Sequence, residues 1–102
     1  MPNYFRPSAD HIHLFEAILR LRDTEECSCF FEDICTINEL NEMAKRLRVA
    51  EMLCDGKSYV QISQETGVST ATISRVNRCL SYGSNGYALA MDRLKEDKEE
   101  KN

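Results

Sequence analysis

Between residues 9 and 95 the apolar positions recur almost throughout at the three-to-four-residue spacing of helices, which predicts an all-α chain. In "ADHIHLFEAILRLR", Leu14, Phe15, Ile18, Leu19 and Leu21 spread around more than one side of the first helix. A helix that is apolar on several sides is buried on several sides. In so small a chain this points to burial against a second subunit; the alternative is the central helix of a monomer.

Capping patterns divide the chain beyond this helix. "DTEE" at 23–26 pairs Asp23 with Glu26 and opens a short helix to about Ile34. "TINE" at 36–39 pairs Thr36 with Glu39 and opens a long helix with Ile37, Leu40, Ala44, Leu47 and Leu53 facing inward. Gly56 supplies a left-handed stop. Ser58 and Gln61 form a third box, and their helix runs to Thr66 and stops at Gly67. Ser69 caps the next helix, to about Tyr82. "GSNG" at 83–86 reads as a turn. Tyr87, Ala90, Met91 and Leu94 then mark a last amphipathic helix. The chain is thus expected to form a single domain over 1–95, ending in a charged, frayed tail at 96–102.

The segment 58–80 carries the functional pattern. Ile62, Val68, Ile73 and Val76 sit at the spacing by which a helix-turn-helix holds its two helices together. Ser63 is small where the second helix approaches, and Gly67 suits a turn that needs positive φ. On a helical wheel Ile73, Val76, Asn77 and Leu80 share one side. Ala71, Ser74, Arg75 and Arg78 share the other, flanked by Thr70 and Thr72. Small and hydroxylic residues at the start of such a helix suit a major groove about 12 Å wide, where they can reach base edges. The expected DNA contacts are Lys57, Ser69, Thr70, Ala71, Thr72, Ser74, Arg75 and Arg78. Arg48 is a further candidate for phosphate, and Gln61 and Gln64 could touch the backbone from the first helix.

The net charge of −4 would argue against nucleic acid if it were uniform. It is not uniform. Residues 45–82 hold six basic residues against three acidic ones, a net of +3, so the remainder carries −7. A basic middle between acidic ends is an electrostatic footprint for DNA.

The remaining chemistry is sparse. Five cysteines, an odd number without a spaced framework, do not suggest a disulfide scaffold. "CSCFFEDIC" lacks a CxxC pair and a nearby histidine, so no metal is expected. Cys27 and Cys35 instead read as small hydrophobes on a stripe with Phe30, Phe31 and Ile34. Asp10, His11 and His13 form no catalytic arrangement, and neither a phosphate loop nor HExxH occurs, so no enzyme is expected. No apolar run reaches membrane-spanning length, and "MPNYFRPSAD" has no leader pattern. A cytoplasmic location is expected.

The stretch "NELNEMAKRLRVAEMLCDGKSYVQISQETGVSTATISRVNRCL" resembles the Trp repressor family, with "KRLRVAEML", "DGKSY" and "TGVSTATISRVNR" as its most specific pieces. Together with "EECSCFFEDICTINEL" and "YGSNGYALAMDRL" it looks closest to the YerC/YecD branch. The resemblance implies an intertwined homodimer with one helix-turn-helix per subunit, reading two half-sites of double-stranded DNA. It also implies an effector pocket in which two arginines, matching Arg46 and Arg75, would hold tryptophan. The pattern departs there. Val76 stands where the repressors have glycine, and Cys79 where they have serine. A one-residue length difference also falls between the two arginines. L-tryptophan is therefore disfavoured, and Arg46 and Arg75 are open to service with DNA or in intramolecular pairs. The expected function is sequence-specific, dimeric DNA binding for transcriptional regulation. The alternative is a ligand-sensing or protein-interaction module that keeps the repressor shape.

Overall fold

The computed structural model describes residues 5–101. Residues 1–4, part of the stretch read for a leader pattern, and residue 102 of the tail lie outside the described residues. Six helices and no strands occur among the described residues: α1 (Ala9–Leu19), α2 (Thr24–Ile34), α3 (Ile37–Cys54), α4 (Tyr59–Thr66), α5 (Thr70–Tyr82) and α6 (Gly86–Lys101). The described residues divide into two compact units, one over 5–42 and one over 43–101.

In the first unit the helices are started by local hydrogen bonds. Ser8 caps α1: its hydroxyl accepts the His11 N–H at 3.2 Å, and His11 Nδ1 accepts the Ser8 N–H at 3.0 Å. No capping pattern announces this box in the sequence, because histidine replaces the usual Glu or Gln at its third position. Asp23 accepts the Glu26 N–H at 2.8 Å as expected. Glu26 reaches one residue beyond the expected partner, to the Arg22 N–H at 2.8 Å. The Thr36–Glu39 box forms in full, at 3.1 and 2.9 Å. The backbone N–H of Thr36, helped by its hydroxyl, holds the Glu39 carboxyl below its ordinary value.

Neither α1 nor α2 has a fully buried residue. Leu14, Ile18, Cys27, Phe30, Phe31 and Cys35 are half-buried, with the two phenylalanine rings packed edge to face at 5.4 Å. Phe15, Leu19, Ile34 and Ile37 remain exposed.

The second unit has a small core. Val49, Ala50 and Met52 of α3, Ile62 of α4, Val68 of the turn, Ile73 and Val76 of α5 and Met91 of α6 are buried together. The inward face of α3 differs from the expected stripe. Ile37 and Ala44 are exposed, and Leu47 and Leu53 only half-buried, because Val49, Ala50 and Met52 are the residues that meet the helices packed on this end. On α6, Met91 is buried and Tyr87 half-buried, whereas Ala90 and Leu94 are exposed.

Gly56 ends α3 with φ 84°. The Lys57 N–H donates to the Met52 carbonyl at 3.1 Å and the Gly56 N–H to that of Leu53 at 3.0 Å, the paired bonds of a Schellman stop. One residue later Ser58 and Gln61 form the expected box and α4 begins.

Candidate nucleic-acid interface

Between α4 and α5 the chain needs three residues, 67–69, to reverse. Gly67 takes φ 74° and its N–H donates to the Ser63 carbonyl at 2.8 Å. The Thr66 hydroxyl donates to the Ile62 carbonyl at 2.7 Å and accepts the Val68 N–H at 3.1 Å. Ser69 caps α5 by accepting the Thr72 N–H at 3.2 Å. Every bond that makes this turn is local, so its geometry arises from the order T-G-V-S.

The four residues expected to hold the two helices together do so. Ile62 and Ile73 are 0% exposed, Val76 2% and Val68 8%. With that face turned inward, Thr70, Ala71, Ser74, Arg75 and Arg78 lie exposed on α5. Two positions differ from the wheel. Asn77, placed on the packed side, is exposed, because the buried strip is as narrow as Ile73 and Val76. Thr72, placed at the flank of the outer side, is half-buried, and its hydroxyl lies 3.2 Å from that of Ser69. Lys57 is exposed but its ammonium pairs with Glu65 at 3.3 Å. Gln61 spends its side-chain carbonyl on the Ser58 N–H at 2.9 Å, while Gln64 and Arg48 are exposed.

The four residues of the candidate effector pocket come together. Arg46 of α3, Thr72, Arg75, Val76 and Cys79 of α5, and Tyr87 of α6 line one cavity of about 120 Å³. Two members were not expected in this pocket: Thr72, expected only as a DNA contact, and Tyr87, whose pattern marks it only as part of the apolar face of α6. The spacing of Tyr87 from the arginines carries no local pattern. The cavity is smaller than one of about 150 Å³ that holds benzene, and indole is larger. Val76 is fixed in the core at one wall. Val76 thus limits the room for an indole here.

A family model for the Trp repressor protein matches residues 10–95. The chain belongs to the Trp repressor family. Within that family it is 58% identical over 87 residues to the uncharacterized protein YerC of Bacillus subtilis (strain 168), covering 85% of this chain and 84% of that protein. It is similar to a crystal structure of a TrpR-like protein from Eubacterium eligens, with a TM-score of 0.84, 49% identity, and coverage of 86% of this chain and 91% of that one. A candidate Trp repressor from Staphylococcus aureus is as similar in fold, with a TM-score of 0.84, 47% identity, and coverage of 87% and 89%. The Trp repressor-like, all-α fold expected from the sequence is thereby established, with its resemblance to YerC. No described helix is long and apolar enough to cross a membrane.

Proposed function

We propose that this Trp repressor-family chain is a sequence-specific, DNA-binding transcriptional regulator that acts as a homodimer in the cytoplasm. The observation that carries this reading is the division of α5. Ile73 and Val76 are locked against Ile62 and Val68, which leaves a continuous outer surface of Thr70, Ala71, Ser74, Arg75 and Arg78. In this reading α5 enters the major groove. Thr70, Ala71, Thr72 and Ser74 touch base edges, Ser69 supports the helix start beside the backbone, and Arg75, Arg78 and Lys57 hold phosphates. The Lys57–Glu65 pair is exposed and weak, so a phosphate can replace Glu65.

The dimer is supported by the first unit. An α1 without a single buried residue, yet carrying exposed Phe15 and Leu19, gains little from folding alone. Two copies would present two recognition helices to half-sites one helical turn apart.

Selection of bound sequences from a random duplex pool tests the reading. A recovered motif with two related half-sites is the expected result. Recovery of no motif, with no retention of any duplex at low salt, would overturn it.

A further inference from the structure

Arg46 and Arg75 both line the cavity between α3, α5 and α6, and no acidic residue lines it. Among the described residues the ion pairs are Lys57–Glu65 and Arg93–Glu96, so neither arginine of the cavity has an acidic partner. Arg46 is moreover half-buried, which weakens the solvent screening of its charge. Two cationic side chains that line one concavity without an acidic partner favour an anion beside them. Tyr87, also of the lining, carries a hydroxyl that can donate a hydrogen bond. The donor set is therefore that of an oxyanion site. Arginine's planar fork suits a phosphate in particular.

Size selects among oxyanions. The space of about 120 Å³ is smaller than a cavity of about 150 Å³ that holds benzene, and a phosphate group has fewer heavy atoms than benzene. Position selects the source. Arg75 belongs both to this cavity and to the exposed surface of α5, where Ser74 and Arg78 lie. An anion seated here lies at the edge of the surface that would face the groove.

We propose that Arg46 and Arg75 together clamp a single phosphate of the DNA backbone, in the place where the family resemblance would put an amino-acid effector. The inference rests on the DNA-binding reading above and deepens it. Arg46, on α3, becomes a DNA contact, and DNA binding needs no tryptophan. The same oxyanion chemistry could be met by free phosphate, so the test separates the two sources.

The experiment is a fluorescence-anisotropy titration of the full chain against the pool-selected duplex over a range of salt. It compares the wild type, Arg46→Gln, Arg75→Gln and the double variant, with thermal unfolding as the check on folding. One shared phosphate predicts that the double variant loses about 0.9 from the slope of log K against log salt, whereas two separate phosphates would cost about 1.8. Affinity should fall roughly tenfold to a hundredfold, as expected for losing a charge-assisted pair of bonds. Selected and unrelated duplexes should suffer alike, and each single variant should capture most of the loss.

At constant ionic strength, millimolar L-tryptophan should leave wild-type DNA affinity unchanged, and millimolar inorganic phosphate should at most compete with the DNA. Folded variants with wild-type affinity and slope overturn the clamp while leaving the DNA-binding reading standing. Tryptophan that tightens wild-type binding, with the effect lost in the variants, overturns it in favour of an effector. Inorganic phosphate that tightens DNA binding by the wild type but not by the variants places a free anion, and not the backbone, in the clamp and overturns the backbone as the source. A wild type that binds no duplex overturns both the clamp and the reading it rests on.

Discussion

Thr66 and Val68 are joined across Gly67: the Thr66 hydroxyl accepts the Val68 N–H at 3.1 Å while donating to the Ile62 carbonyl at 2.7 Å. One side chain thus ties the end of α4 to the first buried residue beyond the turn. Thr66→Val keeps the shape but leaves the Val68 N–H without its acceptor in a partly buried site. The expected loss is about 1–2 kcal/mol in urea unfolding, the lower part of the range for an unsatisfied donor because the group is not fully buried. Thr66→Ser keeps both bonds and should lose less. Equal stability of the valine variant and the wild type would show that the bridge contributes nothing.

The outer surface of α5 separates base reading from phosphate holding. Thr72→Ala combined with Ser74→Ala should relax the preference for the selected motif while retaining general affinity. Arg78→Ala should weaken all duplexes by a similar factor and lower the salt slope by about 0.9. Gel-shift titrations with selected and scrambled duplexes measure both effects. If neither variant changes binding, α5 is not the recognition helix.

Lys57 offers a test in the opposite direction. Its ammonium is held by Glu65 in the free protein. Glu65→Gln releases Lys57 and removes an anion from beside the proposed DNA surface. DNA should bind a few-fold more tightly at low salt, with a steeper salt dependence. Weaker binding by this variant would exclude Lys57 as a phosphate contact.

Leu19 is 76% exposed within the single chain, on a helix that also leaves Phe15 exposed. If a second copy covers this surface, Leu19→Glu or Phe15→Glu buries a charge at the interface. Sedimentation should then show the wild type as a dimer and the variants as monomers or unfolded chains. A wild type that sediments as a monomer at micromolar concentration would remove the dimer from the proposal.

Glu39 predicts an acid-side effect on α3. Its carboxyl is held below the ordinary value of 4.5 by the Thr36 N–H and hydroxyl. A group lowered in the folded state contributes stability that is fully present above the ordinary value and is lost as pH falls through the folded one. Glu39→Gln should abolish that part of the pH dependence, and a hydrogen-exchange profile of the first turn of α3 would report it. An unaltered acid limb in the variant would refute the assignment.

Much of this molecule is legible in its sequence because its decisive hydrogen bonds are short in sequence. Thr36 with Glu39, Ser58 with Gln61, and Ser69 with the Thr72 N–H each close within three residues. Gly56 and Gly67 mark the stops because left-handed backbone favours glycine. The same holds for Ile62, Val68, Ile73 and Val76, whose spacing implies one contact between two adjacent helices.

The tertiary structure decided what depends on distant parts meeting. It chose Val49, Ala50 and Met52 as the inward face of α3, left Asn77 outside, and paired Lys57 with Glu65. It also assembled Arg46, Arg75 and Tyr87 from three helices around one cavity. Helical periodicity states which residues share a side of one helix. Which side is covered, and which charges converge, depends on how the helices pack, and no local pattern encodes that.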